Sequence, residues 1–216
     1  MIKNKPIAAL FDLDGVIFDT EPQYSEFWGS ECAKYRPDLP GLAHAFKGQT
    51  LKYIFDTYFT NPEDQRQLTE DLNLFEAQMR YEYVPGSYEL IQEMRAHSIK
   101  TAVVTSSDVN KMNSVKRVHP ELEQLFDRIL TAELFSASKP NPDCYLLGAR
   151  VFDAPLENCM VFEDSFNGLK AGTSSGIFTM GLATTNSREA IAPCCNHVLD
   201  DFTGFHVQDF LDLLSK

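Results

Sequence analysis

The run Ile7-Ala8-Ala9-Leu10-Phe11 is apolar at every position and then stops on Asp12-Leu13-Asp14-Gly15. An apolar run of strand length without alternation is what a strand buried on both faces requires, and such strands lie in the middle of parallel sheets. Asp12 then falls at the strand's carboxyl end, the edge of an open α/β sheet where ligands bind. If extended backbone continues past Phe11, Asp12 and Asp14 point to one side. Their repulsion, on the order of a few kcal/mol at an intermediate dielectric, calls for a cation, a shared proton or a lysine. An acidic turn after a strand, with Gly15 supplying the unusual backbone angle, accounts for these residues equally well when they are taken alone. A calcium loop does not. Counted from Asp12, the glycine comes two places early, and the twelfth position is Gln23 rather than Glu.

A chain of 216 residues with 44% hydrophobic content can bury one large domain, or one domain carrying a smaller insert. The net charge of -12 argues against a nucleic-acid or anionic-membrane surface, because such partners are held by basic stripes and none is visible. An anionic substrate would need a local positive site. The apolar stretch behind Lys3 and Lys5 is too short for the core of a signal peptide, and no run approaches membrane-spanning length. Five cysteines, none in a C-x-x-C pair, suit a reducing compartment. The expectation is a cytoplasmic monomer.

After Gly15, Thr20-Glu21-Pro22 reads as a helix start. From Gln23 to about Tyr83 the chain is rich in aromatics and helix formers, with Tyr24, Phe27 and Trp28, then Ile54, Phe55 and Tyr58, then Leu68, Leu72, Phe75 and Met79 at helical spacing. This is read as a four-helix insert, broken at Asp38 to Gly41 and at Gly48-Gln49-Thr50 and closed by Val84-Pro85-Gly86. Beyond Gly86 helix and strand alternate. Thr101 to Thr105, Arg128 to Thr131, Met160 to Phe162 and Ile177 to Leu182 read as strands, with helices over Tyr88 to His97, Pro142 to Phe152 and Phe166 to Ser174. Strands separated by helices of about ten residues give parallel sheets through right-handed crossovers. The fold class is therefore α/β, a doubly wound parallel sheet of Rossmann-like type. The core is expected over residues 1–19 and 86–216 and the inserted helical domain over 20–85.

The strand ends carry the chemistry. The second strand leads into Thr105-Ser106-Ser107-Asp108, where hydroxyls and free amides at a helix start suit a phosphate oxygen, although a plain N-cap by Ser107 or Asp108 needs the same residues. Lys139 precedes Pro140-Asn141-Pro142, and the fourth strand ends on Glu163-Asp164-Ser165. Asp12, Asp14, Glu163 and Asp164 would bring up to four negative charges to one edge, which demands a counter-ion. Hard oxygen donors with room for water and a substrate phosphate favour Mg²⁺. With Thr105 and Lys139 holding an anion from the other side, the arrangement suits phosphoryl transfer to a carboxylate.

Asp12-Leu13-Asp14-Gly15-Val16, Thr105, Lys139 before Pro140, and Glu163-Asp164, in that order and on those elements, resemble the four motifs of the haloacid dehalogenase-like superfamily. The helical insert resembles the small α-helical cap of the subgroup that includes β-phosphoglucomutase and many sugar-phosphate phosphatases. Asp19-Thr20-Glu21-Pro22, Lys47-Gly48-Gln49-Thr50 and Ser138 to Asp143 are similar to that subgroup in detail. The resemblance implies Asp12 as nucleophile and Asp14 as the acid that protonates the leaving oxygen and then activates water. It implies Mg²⁺ on Asp12, the Asp14 carbonyl and Asp164, with Glu163 in or near that shell, and phosphate held by Thr105, Ser106 and Lys139. The family's dehalogenases lack the second aspartate, so Asp14 points to phosphate chemistry. In the cap, Tyr24, Lys47 and Lys52 are candidates to face the substrate.

Two local patterns mislead. Gly172 to Gly176 matches G-x-S-x-G, but it ends a helix and leads into a strand, the reverse of a nucleophile elbow. Cys194, Cys195 and His197 have no second ligand pair at metal-site spacing and read as a small buried pair of thiols beside a histidine. Three functions follow: a Mg²⁺-dependent phosphatase of a small phosphorylated metabolite, a phosphohexomutase of the β-phosphoglucomutase type, or a non-catalytic phosphate-binding module. The mutase carries a histidine and an arginine where Tyr24 and Leu51 stand here, which favours the phosphatase; whether its substrate is a hexose phosphate, another sugar phosphate or pyrophosphate stays open.

Overall fold

The computed structural model describes residues 5–215, so the outermost ends of the expected core segments, residues 1–4 and 216, lie outside the described residues. The strands are β1 (Ala8–Phe11), β2 (Lys100–Val104), β3 (Arg128–Leu130), β4 (Cys159–Glu163), β5 (Phe178–Leu182) and β6 (His197–Leu199). They form one sheet in the order β3-β2-β1-β4-β5-β6, parallel at every pairing. The helices are α1 (Glu21–Tyr35), α2 (Leu51–Tyr58), α3 (Pro62–Gln78), α4 (Ser87–Ala96), α5 (Val109–Val118), α6 (Leu122–Leu125), α7 (Asp143–Arg150), α8 (Phe166–Ser174), α9 (Arg188–Ile191) and α10 (Val207–Leu214).

β1 has no solvent-exposed residue, and the two-residue period of a strand divides it between two cores. Ala9 and Phe11 face one side, where Phe11 stacks on Phe162 at 4.6 Å, while Ala8 and Leu10 face the other, with Val161 and Tyr145. The strand order reverses between β1 and β4, because the chain steps from β1 out to β2 and β3 and then returns to β4. Such a switch point opens a crevice at the carboxyl ends of the two strands, and Asp12 and Glu163-Asp164 stand there.

The segment between β1 and α4 forms a helical layer with its own core, in which Trp28 meets Phe46 edge-on at 5.0 Å and Leu68 is fully buried. Of the four helices read from the sequence, three are α-helical, and the fourth is a five-residue 3-10 turn over Leu42–Phe46. Gly41 and Gly48, both in left-handed conformation, bracket too short a segment for an α-helix. The chain enters and leaves this layer side by side. Asp19 N donates to Glu82 O at 2.8 Å and Val84 N to Ile17 O at 2.9 Å.

β6 adds a sixth strand to the five read from the sequence. It is only three residues long, and Cys194-Cys195 before it are partly exposed rather than buried. Neither cysteine joins a metal-ligand cluster among the described residues. Gly172 to Gly176 closes α8 and leads to β5. Among the described residues no helix is long and apolar enough to cross a membrane.

Candidate active site

Asp12 leaves β1 with its backbone still tied to the sheet, its N–H donating to Phe162 O at 3.0 Å. The chain then turns instead of continuing extended. Gly15 takes a φ of 72°, and a Cβ there would stand 2.2 Å from Asp164 Oδ2, so both the backbone angle and the space require glycine. The two aspartates are consequently held apart by different lysines. Lys139 Nζ donates to Asp12 Oδ1 at 2.9 Å and to Glu163 Oε1 at 2.5 Å. Lys111, on the first turn of α5 and almost wholly buried, pairs with Asp14 Oδ2. Thr20 Oγ1 and Ser107 Oγ complete the hold on Asp14 at 2.5 and 3.2 Å.

Glu163 spends both oxygens on protein donors. Oε1 accepts from Lys139 and from Tyr145 Oη at 2.7 Å, and Oε2 accepts from the N–H of Asp164 and of Ser165 at 3.0 and 3.2 Å. Asp164 is the opposite case: both of its carboxylate oxygens are buried without a hydrogen-bond partner. Ligand oxygens of Asp12, Glu163 and Asp164 lie within 4.8 Å of one another. Three carboxylates and the one ammonium of Lys139, which pairs with Asp12 and Glu163, leave two negative charges, the complement of a divalent cation.

The electrostatics agree. Burial pushes Asp12 up to about 7, with Lys139 opposing and Glu163 and Asp14 adding to the rise. Burial, then the charges of Glu163, Glu21 and Asp12, hold Asp164 well above the usual carboxylate range. Burial alone would lower Lys139, yet Asp12 and Glu163 outweigh it and keep the ammonium firmly protonated. Hard, buried, under-coordinated carboxylate oxygens are the donor set that Mg²⁺ takes. Asp12 and Asp164 have oxygen to offer it, whereas Glu163 fixes Lys139 and the backbone around them.

A cavity of about 460 Å³ lies between this sheet edge and the helical layer. Asp12, Asp14, Thr105, Ser106 and Asp164 line it from the sheet. Asp108, not Ser107, caps α5, accepting from Lys111 N at 2.9 Å, and Thr105 Oγ1 accepts from Ser107 N at 3.0 Å. The loop Lys47 to Thr50 pins the helical layer across the cavity. Ser106 Oγ donates to Gly48 O at 2.9 Å, Thr50 N to Ser138 Oγ at 3.0 Å, and Asn167 Nδ2 to Lys47 O at 2.9 Å.

The cap candidates are placed unequally. Tyr24 lines the cavity, but its hydroxyl donates to Glu76 Oε1 at 2.6 Å, and its ring lies under the Lys111 ammonium at 4.4 Å. Lys47 lines the cavity paired with Glu21 at 3.0 Å. Lys52 lies at the rim with its side chain 82% exposed and paired with Asp56. Sequence reasoning passed over Lys111 and Glu76. Both sit at buried-face positions of their helices, Lys111 beside Met112 and Val115 and Glu76 on the Leu68, Leu72 stripe, so a charge within an apolar stripe was the available signal.

This chain is similar to protein CbbY of Cereibacter sphaeroides, 33% identical over 189 residues that cover 79% of this chain and 81% of that protein. The validoxylamine A 7'-phosphate phosphatase of Streptomyces hygroscopicus subsp. limoneus is 27% identical, covering 85% of this chain and 89% of that enzyme. The β-phosphoglucomutase of Bacillus subtilis is 27% identical, with 81% and 82% covered. A crystal structure of a HAD hydrolase, family IA, variant 3, from Entamoeba histolytica shares the fold with a TM-score of 0.81 at 22% identity, covering 97% of this chain and all of that one. The model of the haloacid dehalogenase-like hydrolases matches residues 8–176, and with phosphatases among its relatives the chain belongs to that family and is a phosphoric monoester hydrolase.

Proposed function

We propose that this chain hydrolyses a small phosphorylated metabolite, a sugar phosphate in the first instance, with Mg²⁺ and through an aspartyl phosphate on Asp12. The observation that carries the reading is the cavity on which Asp12 and Asp14 both open, beside an Asp164 carboxylate that no protein donor satisfies. The relatives named as phosphatases of validoxylamine A 7'-phosphate and of phosphorylated carbohydrates support the substrate class.

An Asp12 oxygen attacks phosphorus while the bond to the leaving oxygen breaks, and Asp14 in its acid form gives that oxygen its proton. Asp14, now a carboxylate, takes a proton from water as the water oxygen attacks the aspartyl phosphate, and the phosphorus bond to Asp12 breaks. Lys139 holds Asp12 in place and offsets charge on the phosphoryl oxygens. Lys111, Thr20 and Ser107 fix the direction in which Asp14 faces the cavity. Thr105 and Ser106 supply donors to the incoming phosphate at the start of α5, where free amides favour an anion. Mg²⁺ would be held by Asp12 and Asp164 and, when bound, would neutralise part of the phosphate charge as it meets the Asp12 carboxylate.

The test is turnover of a chromogenic phosphomonoester with Mg²⁺, followed by acid quenching of enzyme given ³²P-labelled substrate. Label is expected on the wild-type protein and not on Asp12→Asn. Turnover without a trapped phosphoenzyme, or label on Asp12→Asn, would overturn the covalent route. Similarity to β-phosphoglucomutase supports the mutase as a second reading. Conversion of glucose 1-phosphate to glucose 6-phosphate with little phosphate release would establish it instead.

A further inference from the structure

The two sides of the cavity are built from different chemistry. From the helical layer come Trp28, Phe46, Leu51, Ile54, Phe55 and Leu72, a wall of aromatic and aliphatic surface. Its charged members are acceptors or are already engaged, and its free donors, the Ser25 hydroxyl and the Gln49 amide among them, are neutral. Glu76 lines the wall 6% exposed; its Oε1 takes the Tyr24 hydroxyl at 2.6 Å, and no described residue hydrogen-bonds to its Oε2. Glu21 lies against Lys47 at 3.0 Å, and Lys52 is turned out to Asp56. Among the described lining residues, the helical side offers no ammonium or guanidinium without a carboxylate partner.

A second phosphate on the leaving group would have to enter that side. It would lose most of its hydration, find no unpaired cation, and come up against a buried carboxylate. A buried anion is tolerated only with a partner, and like charges across a cavity of this size repel strongly where water is excluded. A neutral sugar-like ring meets none of these costs. Its apolar face can lie on the aromatic wall, and its hydroxyls can donate to Glu76.

Resting on the phosphatase reading, we propose that the helical side of this cavity selects a monophosphate whose leaving group is an uncharged, hydroxyl-bearing ring, and that Glu76 rejects a second phosphate. Bisphosphates and pyrophosphate are then poor substrates, because each presents an anionic leaving group to Glu76. Specificity here comes from an unfavourable contact with the wrong substrate as much as from a good one with the right substrate.

The experiment compares kcat/KM at pH 8, above the value of about 7 to which burial raises Glu76, with saturating Mg²⁺, for a panel of hexose and pentose monophosphates, the corresponding bisphosphates, and pyrophosphate. The best monophosphate is expected to exceed its bisphosphate and pyrophosphate by at least ~10-fold, since about 1.4 kcal/mol of repulsion already gives that factor. Glu76→Gln keeps the side chain's volume and should narrow the gap several-fold, mainly through a lower KM for the bisphosphate. Leu51→Arg places a guanidinium on the apolar wall and should narrow it in the same way without disturbing the buried Glu76. A wild type that prefers a bisphosphate or pyrophosphate overturns the inference while leaving the phosphatase reading standing. So does a preference that neither variant moves. Failure to release phosphate from any member of the panel, or from a chromogenic monoester, defeats the phosphatase reading itself.

Discussion

The two walls of the cavity solve opposite problems. The sheet side concentrates charge. Asp12, Asp14, Glu163, Asp164, Lys139 and Lys111 meet there, and both ammoniums and every oxygen of Asp14 and Glu163 are fixed by a named partner. The helical side disperses it, with an aromatic wall and two acids set apart, Glu21 against Lys47 and Glu76 under the Tyr24 hydroxyl. A charged constellation can be rigid because each member is held by several others, and preorganised charge of this kind is what stabilises a transition state. An apolar wall fixes little by direction, so it can vary with the substrate while the sheet edge stays the same. The one group that breaks the pattern on the charged side is Asp164, whose oxygens lack partners, and the one on the apolar side is Glu76.

The largest effect should come from the charged side. Asp12→Asn removes the nucleophile while keeping its shape, and kcat should fall by ~10⁴ or more, the scale seen when an attacking group is lost. Its melting temperature should not fall, because the lost charge was in excess over Lys139; activity within tenfold of wild type in a folded variant would refute the assignment. Lys111→Met comes next. It leaves Asp14 without its cation and should lower kcat by ~10² while costing about 2 kcal/mol in denaturant titration, a value reduced from the fully buried case because Asp14 is partly exposed. Lys111→Arg should recover more of the stability than of the kcat, since the larger fork cannot hold the Asp14 carboxylate in the same direction. Equal loss of both in Met and Arg would reduce Lys111 to packing. Asp164→Asn tests the orphaned carboxylate without any turnover. In chelator it should melt no lower than wild type, but it should lose the ~2.7 kcal/mol that Mg²⁺ at a hundredfold excess over Kd gives the wild type. Equal stabilisation of both by Mg²⁺ would move the cation elsewhere.

The charged side was largely legible in the sequence, and the apolar side was not. Ile7 to Phe11 could only be a central strand, and acids at the ends of two strands flanking a switch point must share one edge whatever the loops do. That logic located Asp12, Asp14, Glu163 and Asp164, and it asked for a cation, a shared proton or a lysine. It did not supply Lys111, because a lysine on a helix is ordinarily solvated, and only its place beside Met112 and Val115 on the buried face of α5 marks it. The separate lysine for each aspartate followed from the turn at Gly15, the alternative that the sequence left standing beside continued extended backbone. β6 was missed because three residues carry no readable period. On the helical layer, spacing gave the helices but not their mutual arrangement. Glu76 completes the spacing of Leu68 and Leu72, but a substrate-facing role depends on which neighbours turn away from it, and that is tertiary information.

Glu76 also gives the smallest effect, and the one that isolates the apolar side. Burial pushes its carboxyl up to about 7, with Lys111 and the Tyr24 hydroxyl opposing and Asp14 and Asp108 adding to the rise. An unfolded glutamate ionises near its ordinary value, so between that pH and about 7 the folded chain keeps a proton that the unfolded chain has released. Folding therefore takes up a proton in this window, and stability falls as pH rises through it. The loss reaches its full size only above the folded value. It should be on the order of 2 kcal/mol at pH 8 relative to pH 5 for this group. Asp12 and Asp164 are raised as well and slope the wild-type curve in the same direction, so the wild type alone proves nothing about Glu76. The difference between wild type and Glu76→Gln does, because the amide has no proton to release and the other groups cancel. Denaturant titrations of both proteins from pH 5 to 8, with Mg²⁺ held saturating, should give curves that converge toward pH 5 and separate toward pH 8 in favour of the variant. Parallel curves would mean that Glu76 is ionised in the fold across the whole range, held by Lys111 across the Tyr24 ring, and rejection of a second phosphate would then extend down to pH 5 instead of setting in as Glu76 ionises near 7.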